Sequence, residues 1–162
     1  MLTLDDAGSR DQVLAALGVR RWADEVLRGA PYASVDDLVA AAEQAGEVTD
    51  EELNEAVANH PRIGEKPTAE GDAGRLSTAE QAGLASADEG FDAAIARGNR
   101  VYEERFGRVF LIRAAGRTPQ EVLDELQRRL LNQPEDEAAE AKQQLCEIGL
   151  LRLRTLFGAE AA

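Results

Sequence analysis

This chain has few of the groups on which most enzyme and metal chemistry depends. Its 162 residues include one cysteine, one histidine, one methionine and one tryptophan. A lone cysteine, Cys146, excludes an intrachain disulfide framework and a cysteine-based zinc site. A lone histidine, His60, argues against a zinc or non-haem iron site. No serine or cysteine stands in an evident catalytic triad. Aromatic residues make up only 4% of the chain, so the core must be built mainly from Leu, Val, Ile and Ala. Basic residues are also scarce, with 18 against 31 acidic ones and a net charge of −13. Such a surface repels nucleic acid and anionic lipid, and an anionic substrate needs a local arginine to offset the field. No apolar run is long enough to span a bilayer. The opening run Met1–Asp6 lacks the basic and apolar regions of a signal peptide, and Gly158–Ala162 carries no peroxisomal tripeptide. The expectation is a soluble cytoplasmic protein.

What is present is helix-forming sequence. Hydrophobic residues make up 44%, enough for a sizeable core, and the length suits a single domain over residues 1–162. Ser9 with Gln12, Thr49 with Glu52, Ser77 with Glu80, and Thr118-Pro119-x-Glu121 all match helix-opening capping boxes. Ser34, followed by Asp36 and Asp37, opens a further helix. Gly18, Gly29, Pro31 and Gly46 read as stops. Residues 61–75 hold two prolines and three glycines and read as a loop. Helices are expected over about 88–106, 118–131 and 134–157. The last should bury Ala141, Leu145, Ile148, Leu151 and Thr155. Val109-Phe110-Leu111-Ile112 is a short apolar run that periodicity leaves open between strand, extended segment and helical turn. The fold class is all-α, a single compact irregular helical bundle.

Four pieces carry chemical potential, and each also has an ordinary reading. His60-Pro61 ends a helix; imidazole is the one side chain whose unperturbed pKa lies near neutrality, yet a histidine is also favoured there by the helix dipole. Ser77 and Glu80 form a cap, and a helix start also offers free N–H groups to a bound acceptor. The irregular stretch after Ile112 leaves backbone N–H groups available, although the apolar run before it suits a core. Arg152 lies four residues after Ile148, near the presumed buried stripe, where an arginine either snorkels or meets a buried anion. Arg154 is the competing arginine. Cys146 reads as a small packing residue.

Taken in order, the pieces carry a resemblance. They are His60-Pro61-x-Ile63-Gly64, Ser77-x-x-Glu80-Gln81-x-Gly83, Asn99-x-x-Tyr102-x-x-Arg105-Phe106-Gly107, Phe110-Leu111-Ile112 to Gly116-Arg117-Thr118, Arg129-Leu130-x-Asn132, and Leu151-Arg152-Leu153. Together they resemble the OHCU decarboxylase family, which acts on 2-oxo-4-hydroxy-4-carboxy-5-ureidoimidazoline. The resemblance implies an all-helical homodimeric carboxy-lyase with no cofactor or metal, forming (S)-allantoin in the last step of urate breakdown. It implies His60, Glu80 and Arg152 as catalytic groups. It implies Pro61, Ser77, Glu80, Gln81, Ile112, Arg113, Ala114, Ala115 and Gly116 as the substrate pocket. Arg113 departs from the small or thiol residue expected there, so it must point away or add a contact. The alternative is a non-catalytic acidic helical interaction module with an exposed apolar groove. A ureide hydrolase is disfavoured by the missing metal set and nucleophile.

Overall fold

The computed structural model describes residues 1–45, 47–58, 60–64, 76, 78–84 and 89–158. The expected stop at Gly46 and the candidate Ser77 lie outside the described residues, as do most of the 61–75 loop and the expected helix start at Asp88. Among the described residues the only extended regular elements are helices, as the capping pattern anticipates. The sole β-like pairing described is an isolated bridge between Leu2 and Tyr32. The chain divides into two compact units, Met1–Ala56 with Leu145–Ala162, and Val57–Gln144.

The first unit begins with α1 (Ala7–Leu17), α2 (Arg20–Arg28), α3 (Val35–Gln44) and α4 (Asp50–Val57). Here α1 packs on α2 and α2 on α3. The helix ends follow local chemistry. Gly18 sits at φ +80° and donates its N–H to Leu14 O at 2.7 Å, a left-handed stop that a residue with a Cβ enters only at a cost. Ser34 Oγ accepts from the Asp37 N–H at 3.1 Å. Thr49 and Glu52 exchange bonds of 3.0 and 3.1 Å, completing the expected capping box. The α1 start differs from expectation. Asp6, not Ser9, is the cap, because its carboxylate accepts from both Ser9 N and Ser9 Oγ at 2.8 and 2.7 Å. Arg21 ties the unit together, reaching Glu25, Glu52 and the Ala45 carbonyl at 2.8–3.0 Å. Trp22 is buried and its indole N–H donates to Ala42 O at 3.1 Å.

The long C-terminal helix, running Pro134–Phe157, supplies its second half to this unit. Leu145, Ile148, Leu153 and Phe157 are buried, whereas Leu151 is 41% exposed and Thr155 is exposed. The expected stripe is therefore wrong at its end. At about 100° per residue, Arg152 returns to within about 20° of Leu145, while Leu151 stands about 120° away. Gly149 allows this face to approach α1, since a Cβ there would lie 2.6 Å from Leu17 Cδ1.

The second unit holds a 3₁₀ turn (Ala82–Leu84), α5 (Glu89–Phe106), α6 (Pro119–Arg129) and the first half of the Pro134–Phe157 helix, α7. Its core gathers Ile63, Phe91, Ile95, Tyr102, Phe110, Ile112, Val122 and Leu126. Gly98 brings α5 close to α6, where a Cβ would collide with Leu126. Residues 109–114 form neither helix nor strand. Side chains satisfy this backbone instead. Arg129 Nη1 donates to Leu111 O at 2.8 Å, and Gln144 Oε1 accepts from Arg113 N at 2.9 Å. Thr118 caps α6 in a full capping box with Glu121. Thr118→Ala is expected to lower stability by about 0.5–2 kcal/mol, read from a shifted urea midpoint at unchanged slope.

Candidate active site

His60 lies just past α4, and its N–H donates to Val57 O at 3.0 Å, closing one turn. Pro61 has no N–H and cannot prolong the helix. Both residues are half-buried. The chain then passes through exposed Arg62 and buried Ile63 to Gly64, whose φ of +91° lies in the left-handed region. Three tethers hold this segment. Gly64 N donates to Gln81 Oε1 at 3.0 Å. Asn99 Nδ2, from α5, donates to Ile63 O at 3.1 Å. Arg62 forks onto Glu103 with bonds of 2.7–3.2 Å. Glu80 is half-buried on helical residues 78–80, immediately before Gln81. The Gln81 bond therefore joins the segment that carries His60 to the one that carries Glu80.

The second candidate region is the turn after Ile112. Ile112 and Ala114 are buried, Arg113 and Ala115 are half-buried, and Gly116 is exposed at φ +80°. Arg117 N donates to Ala114 O at 3.1 Å, and Arg117 Nε to Arg113 O at 2.8 Å. Among the described residues the N–H groups of Ala114, Ala115 and Gly116 donate to no protein acceptor. These are the available donors expected of an irregular stretch. Arg113 folds back on its own turn, Nη1 donating to Ala115 O at 2.5 Å. Its guanidinium therefore braces the loop that the smaller residue expected at this position would leave to the backbone alone.

Arg152 belongs to the first unit, buried, with Nη1 donating to Ala15 O at 3.1 Å. Arg154 is half-exposed and pairs with Asp36 at 2.7 Å. Burial thus separates two arginines that spacing left in competition. His60, Pro61, Glu80, Gln81 and residues 112–116 fall in the second unit. A cleft of about 590 Å³ opens there between residues 62–64 and α5, with Ile63, Ile95 and Asn99 on its wall; neither His60 nor Glu80 lines it. Burial, and then the charges of Glu43 and Glu147, push the Cys146 thiol up, away from nucleophilic use near neutrality. No cluster of three potential metal ligands occurs among the described residues.

Sequence reading gave Asn99 no function of its own. The signal was an asparagine on the stripe Phe91, Ile95, Tyr102, where an apolar residue is the rule.

The model of the OHCU decarboxylase family matches residues 3–154. The chain belongs to the OHCU decarboxylase family. A crystal structure of OHCU decarboxylase in the presence of (S)-allantoin superposes on this family member with a TM-score of 0.78 at 26% identity, covering 91% of this chain and 98% of that one. The crystal structure of an (S)-allantoin synthase shares the fold, with a TM-score of 0.66 at 18% identity over 95% of this chain and 54% of that one. The uric acid degradation bifunctional protein TTL of Arabidopsis thaliana is 34% identical over 110 residues, 66% of this chain. The chain spans about a third of that relative's length, 34%. The expected all-α class agrees with the described helices and with the fold shared with the OHCU decarboxylase crystal structure. No helix among the described residues is long and apolar enough to cross a membrane.

Proposed function

We propose that this chain decarboxylates 2-oxo-4-hydroxy-4-carboxy-5-ureidoimidazoline to (S)-allantoin without a cofactor, in urate breakdown. The observation that carries this reading is the family match over residues 3–154, which takes in every candidate site residue. In the reaction, the bond to the carboxylate carbon breaks and CO2 departs. The electron pair left behind moves into the adjacent ring unsaturation as an enolate-like species, and a proton delivered to one face of that carbon completes the product. The protein must orient the carboxylate, stabilise the developing charge and control that face.

His60 is assigned the proton transfer or the polarising of the substrate hydroxyl. Glu80 and Gln81 are assigned to the ureido and ring N–H and C=O groups, with Ser77 and Pro61 beside them. Gln81 spends its Oε1 on Gly64 N, which leaves the Nε2 donors for a ligand. The N–H groups of Ala114, Ala115 and Gly116 suit a developing oxyanion, with Ile112 and Arg113 completing that wall. Arg152 is assigned to the substrate anion, which a net charge of −13 otherwise repels. We assign residues 1–162 to a single decarboxylase domain that acts as a cytoplasmic homodimer on a small molecule and binds no nucleic acid.

The test is circular dichroism during action on freshly generated substrate. Rapid growth of an optically active allantoin signal is the expected result. A trace no faster than spontaneous decay, ending without optical activity, would reject the reading.

A further inference from the structure

Asn99 is a misfit in its own surroundings. It lies on α5 between Ile95 and Tyr102, on the face that builds the second unit's core, and is 4% exposed. Its Nδ2 donates to Ile63 O at 3.1 Å, but its Oδ1 is buried and has no hydrogen-bond partner. A buried acceptor left unpaired costs more than one neutral hydrogen bond of this kind returns. Leucine, of similar shape, would remove the unpaired Oδ1 but strand the Ile63 carbonyl, so stability gives asparagine little advantage. The one thing Asn99 supplies that leucine cannot is the bond to Ile63 O.

That bond acts on the segment His60-Pro61-Arg62-Ile63-Gly64. Between the His60 backbone and the Ile63 carbonyl few soft torsions remain. Pro61 fixes its own φ and restricts the residue before it. Arg62 is pinned to Glu103 on the same helix, with bonds of 2.7–3.2 Å. Gly64 N is held by Gln81 at 3.0 Å. Asn99 is the only one of these tethers that is buried, and so the only one shielded from water and salt.

We propose that Asn99 is a positioning residue for His60, fixing the Ile63 carbonyl so that the His60–Gly64 turn presents the imidazole in one orientation. The proposal rests on the catalytic reading of His60. It accounts for a polar side chain kept in an apolar face with one of its atoms unpaired.

The test compares Asn99→Leu, Asn99→Asp and His60→Ala in the full chain, by kcat, KM, melting temperature and pH profile. Asn99→Leu exchanges one unpaired acceptor for another and is expected to melt within a few degrees of wild type, to keep its KM and to lose about tenfold to a hundredfold in kcat, the scale of a misplaced catalytic group. Asn99→Asp separates positioning from packing. A neutral carboxyl can donate to Ile63 O, whereas a carboxylate sets a negative oxygen against the carbonyl. Charged groups on the same cleft are Arg62, Asp92, Arg100, Glu103 and Glu104, and Arg62 is already paired with Glu103. Burial therefore raises the pKa of the introduced acid. Its kcat should approach wild type at low pH and fall as pH rises, a limb that wild type lacks. Any limb from His60 is common to both proteins.

Wild-type kcat in Asn99→Leu beside an inactive His60→Ala would overturn the positioning proposal and leave His60 catalytic. An active His60→Ala would overturn both. A kcat loss in Asn99→Leu that tracks loss of folded protein, with no added limb in Asn99→Asp, would make Asn99 a structural residue only. Should Asn99→Leu fail to fold, absence of the added limb in Asn99→Asp overturns the proposal by itself.

Discussion

His60→Ala lowers kcat by about 10²–10⁴-fold, the range typical of losing a general acid or base. The expectation follows from what else the chain can offer. It has one histidine, and its one cysteine is held protonated by burial and neighbouring carboxylates. Carboxylates are abundant, but a solvated carboxylate is a poor proton donor near neutrality. The segment around His60 is also tethered at Arg62, Ile63 and Gly64, more than an ordinary helix stop requires. His60 is half-buried and outside the buried core, so its replacement should leave far-UV circular dichroism and the melting curve nearly unchanged. If the imidazole acts in the transition state, kcat falls more than KM changes. Initial rates of the optically active product, with spontaneous decay subtracted, decide the matter. Activity within about a few-fold of wild type removes His60 from the mechanism.

Glu137→Gln destabilises the fold by about 3–5 kcal/mol, because it strands a buried arginine. Arg129 and Glu137 are 1% and 0% exposed and pair through bonds of 2.5–3.1 Å. Tyr102 donates its hydroxyl to the same carboxylate, and Asn132 Nδ2 donates to it at 3.2 Å. Burial alone would pull Arg129 down, but the bonds and charge of Glu137 outweigh it and hold the guanidinium protonated. Burial, reinforced by Glu137, pushes the Tyr102 phenol up, so it remains a donor. Arg129 also lies over the Phe110 ring, 4.7 Å from its centroid. With glutamine at 137 the guanidinium keeps its charge and loses its counter-ion. The melting temperature should fall by on the order of 10 °C.

The double variant Arg129→Met/Glu137→Leu should recover much of that loss, since removing both charges removes the stranded one. Recovery should stay incomplete, because Leu111 O loses its Arg129 donor. A single variant as stable as wild type would mean the pair contributes nothing net. Because Arg129 bonds the irregular run leading to Ile112–Gly116, any stable Glu137 variant should also show a higher KM.

The sequence by itself determined most of the described helices, several of their ends and the list of candidate groups. Caps at Ser34, Thr49 and Thr118 and the stop at Gly18 involve partners three or four residues away, so local sequence contains the whole interaction. It also delimited the chemistry, since one histidine and one cysteine leave few options. Where two local caps competed, as Asp6 and Ser9 do, the choice depended on a carboxylate that bonds two groups at once. What only the tertiary structure decided depends on partners distant in sequence. The 109–114 segment is neither helix nor strand, and Arg129 and Gln144 bond its backbone, a pairing that no periodicity in those residues reveals. Glu137 reads as one more acid in a helix's first turn until Arg129 and Tyr102 close around it. Arg152 and Arg154 differ by only two positions, and burial against α1 separates them. Asn99 spans 36 residues to reach Ile63, and a hydrogen bond of that reach exists only once the chain has folded.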